Sequence, residues 1–368
     1  MAKRSRTKRK GRKKRMTEEE EQEKEFRRIQ EQTFYNMGPM FFDNVSRNIE
    51  GGLRNEKGRD FVREDFLNGE GRGKTHKDLA AVIVAGGPSV KIFDHLETLK
   101  AHYKDRRFTI IAVDAMLAPL VRKGIFPDYV FSADPQPETA PFYEVATMKS
   151  YREKLKRAKT MAVFPGWIHP DVLINWTLER RAFYWGSSSF GKYMEVSEFF
   201  NSLVNLGTVN THAHVTGAAL TFAHEMGFKT VGTIGTDYCY DVDDSFQDGG
   251  WYKYLREQGV DEETIFKDLQ PNKYIDPHTG EEVVSDVVWM SYVGYMLGWL
   301  MSLVPPETPL RPDFKVFNCS QRGMFQDTPQ TDGEGKVIWP GNILVRNKGV
   351  TFKNFLEAVE NWYESSEE

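Results

Sequence analysis

The sequence predicts an α/β protein in which a mostly parallel β-sheet carries helices on both faces. Seven short apolar runs lack the alternation of polar and apolar residues that half-exposed strands show, which is typical of strands buried on both sides. Helix-like patterns separate several of these runs, and such alternation indicates parallel strands joined by crossover helices. Together these observations predict a Rossmann-like arrangement.

The apolar and β-branched runs give the strands in order. The predicted strands are 80–85, 108–113, 129–133, 160–164, 182–185, 229–235 and 315–318. Helices are predicted at 90–102, at 115–124 ending on Gly124, and at 214–227 ending on Gly227, because glycine commonly follows a helix C-terminus. The apolar run 287–304 contains serine, tyrosines and glycines and has no basic flank, so we interpret it as a buried helix rather than a membrane span.

Composition divides the chain into unequal parts. We expect an N-terminal arm at 1–44, an extended lead-in at 45–77, a Rossmann-like transferase domain at 78–325 and a C-terminal extension at 326–368 that ends in a helix. Within the domain, the Asp-, Gly- and Pro-rich stretch 241–282 is predicted to be an inserted lid or loop. The two cysteines, Cys239 and Cys319, lie too far apart in sequence to form a zinc-type pair and favour a reducing, cytoplasmic location.

Charge is distributed unevenly along the 368 residues. Residues 1–15 hold ten lysines or arginines and no acidic residue, whereas the rest of the chain holds 39 basic and 53 acidic residues. We expect residues 1–15 to be disordered. Such an arm either binds nucleic acid or an acidic partner, or serves only to solubilise the chain. It lacks the apolar segment of a signal peptide.

The first predicted strand ends in a bend formed by Gly86, Gly87, Pro88 and Ser89. Glycines allow a ligand to approach the backbone closely, and a helix N-terminus offers free N–H groups. The bend is therefore either a phosphate-binding turn or an ordinary capped turn. On the phosphate interpretation, a valine at Gly87 abolishes nucleotide binding with little loss of folding.

Three carboxylates follow predicted strand ends, namely those of Asp114, Asp134 and Asp237. The carboxyl ends of parallel strands meet at one edge of a sheet, where ligands bind. Hard oxygen ligands beside a phosphate-ready turn suit Mg²⁺ bridging a nucleotide's phosphates, so these aspartates are candidate metal ligands and catalytic residues. Asp128 precedes its strand, and we interpret it as structural.

Histidines and aromatic residues complete the candidate site. His212 and His214 begin a predicted helix and are candidates to contact a base, sugar or phosphate, although their spacing does not suit a metal. Trp167 and Tyr240, with Tyr184 and Trp185, are candidates to line a crevice for a planar or sugar ring.

The motifs occur in an order that resembles a known domain. The segments VIVAGGPSV, IIAVDAMLAPLVRKGIFPDYVFSADPQ, HVTGAALTFAHEMGFKTVGTIGTDYCY and FNCSQRGMF are similar to the domain shared by MptE-like 6-hydroxymethylpterin diphosphokinases and motility-associated (Maf) glycosyltransferases, over about 80–325. The resemblance implies a nucleotide bound by the Gly86–Ser89 turn and by the loop at Thr216 and Gly217.

The candidate site and the resemblance leave three alternative hypotheses for the function. The leading one is Mg²⁺-dependent pyrophosphoryl transfer from ATP to a hydroxyl acceptor, because converging carboxylates repel a phosphate unless a divalent ion intervenes. The second is transfer of a nonulosonic sugar from a CMP-sugar, as the same resemblance allows. The third is a non-catalytic interaction protein that keeps this fold and acts through its basic arm.

Overall fold

A computed structural model describes the main body of the chain. The residues that it describes are 38–61, 64, 80–104, 106–187, 192–241, 252, 255–256, 259–276, 278–304, 313–327, 330–331, 337–339, 341 and 343–367. The predicted arm at 1–15, the charged segment that follows it up to residue 37, most of the lead-in after residue 61 and most of 242–258 at the start of the predicted insertion lie outside these residues.

The strands follow the predicted order. They are β1 (Ala80–Val84), β2 (Phe108–Val113), β3 (Tyr129–Phe131), β4 (Met161–Pro165), β5 (Arg181–Ser187), β6 (Thr208–Asn210), β7 (Thr230–Ile234), β8 (Tyr240–Asp241), β9 (Asn272–Ile275), β10 (Glu282–Ser285), β11 (Lys315–Asn318), β12 (Gln330–Thr331), β13 (Val337–Trp339) and β14 (Val345–Arg346). All seven predicted strands are present. The sequence pattern did not predict β6, β8, β9, β10, β12, β13 and β14, which have two to four residues each and are too short to give a periodic signal.

The helices alternate with the strands. They are α1 (38–50), α2 (Ser89–Ile92), α3 (His95–Ala101), α4 (Leu117–Arg122), α5 (Lys149–Arg157), α6 (Pro170–Asn175), α7 (Lys192–Leu203), α8 (Val215–Glu225), α9 (Glu262–Leu269), α10 (Val287–Ser302) and α11 (Phe352–Glu367). Two 3₁₀ segments, Asp114–Met116 and Pro137–Ala146, follow β2 and β3. The predicted helix 90–102 is two helices, because Asp94 adopts a left-handed backbone with φ of 49°.

Nine strands form one parallel sheet in the order β14-β11-β7-β1-β2-β3-β4-β5-β6. This is the predicted α/β, Rossmann-like class. Successive strands run outward from β1 on one side, whereas β7 pairs with β1 on the other side. The chain therefore reverses its direction of progress at β1, and such a switch point opens a crevice at the carboxyl ends of the strands.

Helices cover both faces of the sheet. On one face Ala81, Ile83 and Ile111 pack against α8 and α10, for example against Phe222 and Met296. On the other face the apolar residues of β1 and β2 pack against α3, α4 and α11. Burial on both faces explains why these strands are uniformly apolar.

Segments expected to lie outside the domain take part in it. Residues 45–50, predicted to be extended, belong to α1, whose Asn44 and Asn48 donate hydrogen bonds to backbone carbonyls after β3 and β4. Beyond residue 325, β14 joins the main sheet and α11 buries Phe355 and Leu356 against it. The run 287–304 is mostly the half-buried helix α10, and among the described residues no helix has both the length and the apolar content needed to cross a membrane.

Candidate functional site

The carboxyl ends of β7, β1, β2 and β3 form one rim of the sheet. The bend Gly86–Ser89 follows β1, Asp114 follows β2, Asp134 follows β3 and Asp237 follows β7. These strands are neighbours and parallel, so the bend and the three aspartates lie at the same edge, as the sequence predicted. The bend sits at the switch point, between the aspartates.

Asp237 holds the bend from the β7 side. Its Oδ2 accepts a hydrogen bond from the Ser89 N–H at 2.7 Å, and its Oδ1 accepts one from Ser89 Oγ at 2.5 Å. Ser89 and Asp237 are both almost fully buried. Because both donors of Ser89 are directed to this carboxylate, they do not face a ligand. Ser89 is therefore a structural residue of the bend here.

Gly87 is also required by the protein's own packing. A Cβ at this position would lie 2.5 Å from the Gly235 carbonyl oxygen and 2.8 Å from Asp237 Cγ. The Gly87 N–H donates to the same Gly235 oxygen at 2.9 Å. The expectation that a valine at Gly87 would fold normally and displace only a phosphate is therefore wrong, since the side chain would collide with backbone.

Gly86 is the residue of the bend that faces solvent, and Pro88 beside it is half-buried. A Cβ at Gly86 would meet only the Met116 Sδ, at 3.9 Å. Met116 belongs to the turn that starts at Asp114, so the exposed side of the bend adjoins the loop after β2. This is the part of the bend that a ligand can approach.

Asp114 and Asp134 form an interacting pair on the other side of the bend. Asp114 is buried, and its carboxylate accepts hydrogen bonds from Ser132 Oγ at 2.7 Å and from the Ala115 N–H at 2.8 Å. Burial raises the pKa of Asp114 to about 6, although these hydrogen bonds oppose the shift. Tyr184 supports the arrangement by donating to the Ser132 carbonyl at 2.7 Å.

Asp134 is the accessible member of the pair. Its side chain is exposed to solvent in the loop that follows β3. Desolvation, followed by repulsion from Asp114 and Glu138, raises the pKa of Asp134 to about 7. A cation or a hydrogen-bond donor bound here would relieve this repulsion.

Gln136 was missed by the sequence reasoning. It lies two residues after Asp134 and is 8% exposed, and its amide nitrogen is buried without a hydrogen-bond partner among the described residues. Unsatisfied buried donors are uncommon and are often met by water or a ligand. The only sequence signal was its position in the segment SADPQ.

Arg322, also missed, faces a second group of charges on the β7 side. Asp237 and Asp276 are both buried, and the Arg322 guanidinium lowers the pKa of Asp237 whereas Asp276 raises it. Burial dominates and raises the pKa of Asp237 to about 6. Arg322 lies 85 residues after Asp237, and no local sequence pattern links the two. Its position follows from the Met324 N–H, which donates to the Asp237 carbonyl at 2.7 Å.

The three aspartates do not form one ligand set. Asp237 and Asp134 follow strands that are three positions apart, or about 14 Å at the usual strand spacing. In the described part of the chain, no group of three or more His, Cys, Asp or Glu side chains is arranged to hold a metal ion. Asp114 and Asp134 are the two that share a part of the rim.

The candidate residues at the start of α8 are occupied by protein contacts. His212 Nε2 lies 2.9 Å from Thr221 Oγ1 and is buried, and His214 Nε2 lies 2.7 Å from the Tyr238 hydroxyl. Burial lowers the pKa of His212 to about 3 and that of His214 to about 4, so both are neutral.

Thr216 and Gly217 follow these histidines on the first turn of α8. Thr216 is buried, and a Cβ at Gly217 would lie 2.7 Å from His214 Cε1. The Gly217 N–H donates to His214 Nε2 at 3.1 Å. The structure thus uses this loop to pack α8 at the rim.

The aromatic residues divide between core and rim. Trp167, Tyr184 and Trp185 are buried in the core, so they do not line an open crevice. Tyr240 is half-buried and stacks on Trp289 of α10, with ring centroids 4.3 Å apart.

The described part of the 241–282 insertion packs against loops at the rim. β8, β10 and β9 make a small antiparallel sheet. The Gly323 N–H donates to Asp276 Oδ2 at 2.7 Å, and Ser285 Oγ donates to the Tyr238 carbonyl at 2.7 Å. These bonds attach the small sheet to the loops after β7 and β11. These hydrogen bonds indicate that the described residues of the insertion are held in place rather than forming a freely moving lid.

Comparison with known proteins gives a family and a distant fold neighbour. No curated protein matches the chain significantly. A solved structure described as a MAf glycosyltransferase from Magnetospirillum magneticum AMB-1 is similar to 66% of this chain at 17% identity, with a TM-score of 0.44, and the match spans 32% of that longer chain. The family described as "6-hydroxymethylpterin diphosphokinase MptE-like" matches residues 60–243, half of the sequence. On this match, and with a rim and sheet order of the expected kind, the chain belongs to the MptE-like family.

Proposed function

We propose that this chain is a nucleotide-dependent transferase that moves a pyrophosphoryl group from a nucleoside triphosphate to a hydroxyl group of a pterin-like acceptor. The observation that carries the proposal is the accessible carboxylate of Asp134 beside buried Asp114, next to the exposed Gly86 of the bend. The family's description names a diphosphokinase of this type, which supports the choice of reaction.

The phosphates are proposed to lie over Gly86. This residue is at the switch point, where open parallel sheets bind ligands. A Cβ added at Gly86 would contact only the Met116 Sδ, at 3.9 Å, so there is space beside the backbone. Gly87 and Ser89 act indirectly, because their contacts with Gly235 and Asp237 fix the path of the backbone at Gly86. The rim from Gly86 to Asp134 crosses two strand spacings, about 10 Å, which suits a chain of phosphates.

Asp114 and Asp134 fit a magnesium ion that arrives with the nucleotide. Mg²⁺ in phosphoryl-transfer sites is usually bound by one or two carboxylates plus substrate phosphates. The repulsion that Asp114 exerts on Asp134 is the charge environment that a divalent cation would relieve. When bound, the ion would offset negative charge on the transferring phosphates.

Asp134 is proposed to orient the acceptor. Its carboxylate is the accessible one, so it can accept a hydrogen bond from the acceptor hydroxyl. The hydroxyl oxygen bonds to the β-phosphorus while the bond from that phosphorus to the bridging oxygen breaks, and the nucleoside monophosphate leaves with the electron pair. The hydroxyl proton passes to Asp134. Asp114, held by Ser132, fixes the electrostatic environment of Asp134.

The test is release of AMP from ATP in the presence of Mg²⁺ and 6-hydroxymethyl-dihydropterin, followed by chromatography. We expect AMP to form only with the acceptor, and Asp134→Asn to lower the rate by about 10²-fold or more. Glu153→Gln on α5, an exposed acidic residue far from the rim, is the matched control and should keep full activity. Absence of AMP, together with stronger thermal stabilisation by CMP than by ATP, would replace this proposal with glycosyl transfer. Failure to bind either nucleotide would favour the non-catalytic alternative.

A further inference from the structure

A concentration of positive charge lies at the amino-terminal end of the sheet, opposite the candidate site. Residues 149–159, which comprise α5 and the turn after it, hold six basic residues and one acidic residue. Lys154, Lys156, Arg157 and Lys159 are exposed, whereas Leu155 is buried against the body. The side of α5 that faces solvent is therefore cationic.

Neighbouring strands extend this charge into a row. Lys104 precedes β2 and Arg122 precedes β3, and both are exposed. The residues of α5 precede β4, and Arg180 precedes β5 and donates from Nε to the Lys159 carbonyl at 3.1 Å. Strands β2, β3 and β4 are consecutive neighbours, so the exposed cations that precede them form a row about 10 Å long. We name it the basic edge. Its exposed members are Lys104, Arg122, Lys154, Lys156, Arg157 and Lys159.

Acidic residues neutralise other cations at this end but leave the basic edge uncompensated. Arg106 pairs with Asp128, Lys123 with Glu97 and Arg181 with Glu56. Within the described ranges, no ion pair is formed by the six members of the basic edge. A helix macrodipole favours cations in the last turn, yet Lys104 and Lys159 lie outside any helix, so dipole compensation does not account for the whole row.

Acidic residues predominate at the opposite rim, where Asp114, Asp134, Glu138, Asp237 and Asp276 lie together with Arg322. The chain as a whole has a formal charge of −4. An extended polyanion is therefore repelled from the rim of the candidate site and attracted to the opposite end, where its charge can be neutralised.

We propose that the basic edge binds the phosphodiester backbone of nucleic acid, at a face separate from the candidate transferase site. A row of about 10 Å matches about three phosphates of one strand of a duplex at 3.4 Å spacing. An anionic membrane is the less suitable polyanion, because the apolar residue of α5, Leu155, points inward and cannot insert. This binding is independent of the proposed transfer reaction.

The test compares two triple variants in the full chain. Lys154→Glu, Lys156→Glu and Arg157→Glu reverse the basic edge, whereas Lys267→Glu, Lys273→Glu and Lys353→Glu make the same change in net charge at other exposed sites. Binding of fluorescein-labelled single-stranded and duplex oligonucleotides is measured by anisotropy at several salt concentrations. We expect the first variant to lose at least about tenfold in affinity and to have a shallower salt dependence by about two to three units of slope. The second variant should bind like the unmodified chain.

Equal losses in the two variants would overturn the proposal, since net charge or the arm at 1–15 would then account for binding. The proposal would also be overturned if the first triple variant lost binding to phosphatidylserine vesicles but bound oligonucleotides as well as the unmodified chain. A measurement without variants guards against misfolding: oligonucleotide should protect Lys154, Lys156 and Lys159 from acetylation but not Lys267 or Lys273. Uniform acetylation with saturating oligonucleotide contradicts the assignment.

Discussion

Asp237, after β7, accepts two hydrogen bonds from Ser89, after β1, and so joins the two sides of the switch point. The bonds are 2.7 Å from the Ser89 N–H and 2.5 Å from Ser89 Oγ. The sequence predicts a three-carboxylate metal site that includes this residue. The carboxylate instead shapes the bend whose outer side is Gly86.

Asp237→Asn should destabilise the fold by about 1–3 kcal/mol. The carboxylate accepts the two hydrogen bonds with two different oxygens, whereas an amide side chain has only one oxygen. Ser89→Ala removes one bond and should cost less. Urea denaturation of the single and double variants measures the coupling between the two residues. Additive losses in the double variant would contradict the pairing.

Gly86→Ala and Gly87→Ala form a matched pair that separates ligand binding from folding. Alanine at Gly87 would collide with the Gly235 carbonyl and should destabilise the protein by several kcal/mol. Alanine at Gly86 has room and should leave the melting temperature nearly unchanged while weakening ATP binding. Thermal unfolding and calorimetry check both. Normal ATP binding by Gly86→Ala would contradict the proposal that the phosphates bind at the bend.

Removal of magnesium should reduce ATP affinity by at least about tenfold, because Asp114 and Asp134 repel the phosphates when no cation is present. Asp134→Asn removes the exposed charge, so its affinity for ATP should depend less on Mg²⁺ than that of the unmodified chain. Titration calorimetry with ATP, with and without Mg²⁺ and with EDTA, measures both effects. The same magnesium dependence in the two proteins would disprove the pairing of this carboxylate with the ion.

His95 should make the fold sensitive to mild acid. It is 1% exposed between Phe93 and Phe352, neither ring nitrogen has a hydrogen-bond partner among the described residues, and burial lowers its pKa from 6.5 to about 4. Between these values the unfolded state binds the proton and the folded state does not. Its contribution to stability is therefore present above pH 6.5 and is lost as pH falls toward 4, by about 2 kcal/mol at pH 5.

His95→Phe should remove that loss, so its free energy of unfolding should fall less between pH 7 and pH 5 than that of the unmodified chain. His102→Gln, at a half-buried histidine paired with Glu360, is the control. Urea denaturation at both pH values gives the comparison. The same fall with and without His95 would show that other groups control the acid sensitivity.

The sequence was sufficient for the parts of the fold that depend on long uniform patterns. Runs such as Phe108–Val113 are apolar because both faces are covered, and their order predicted the sheet and the shared edge of Gly86, Asp114, Asp134 and Asp237. It could not show what each side chain contacts there. The same glycine and serine residues occur in bends that bind a phosphate and in bends that pack against a neighbouring loop. Gly87 and Ser89 are of the second kind, because they contact the loop after β7.

Other features depended on contacts between distant segments. Arg322 comes to Asp237 only because β11 pairs with β7, and β14 joins the sheet through a two-residue match that gives no pattern of its own. Aromatic residues near strand ends predict a crevice for a planar ring at Trp167 and Trp185, yet both side chains are buried in the core. Burial of this kind depends on which helices cover the edge, and α1 does so from residues predicted to belong to the N-terminal arm and the extended lead-in.

The pairing of β1 with both β2 and β7 has a consequence for how the protein is made. Residues 80–84 leave the ribosome well before residues 230–234, so one side of an entirely apolar strand has no partner while about 150 further residues are synthesised. Long-range pairing of this kind slows folding and leaves strand edges open to misassociation. Productive folding of the nascent polypeptide is therefore expected to wait for β7, with chaperones shielding β1 until then.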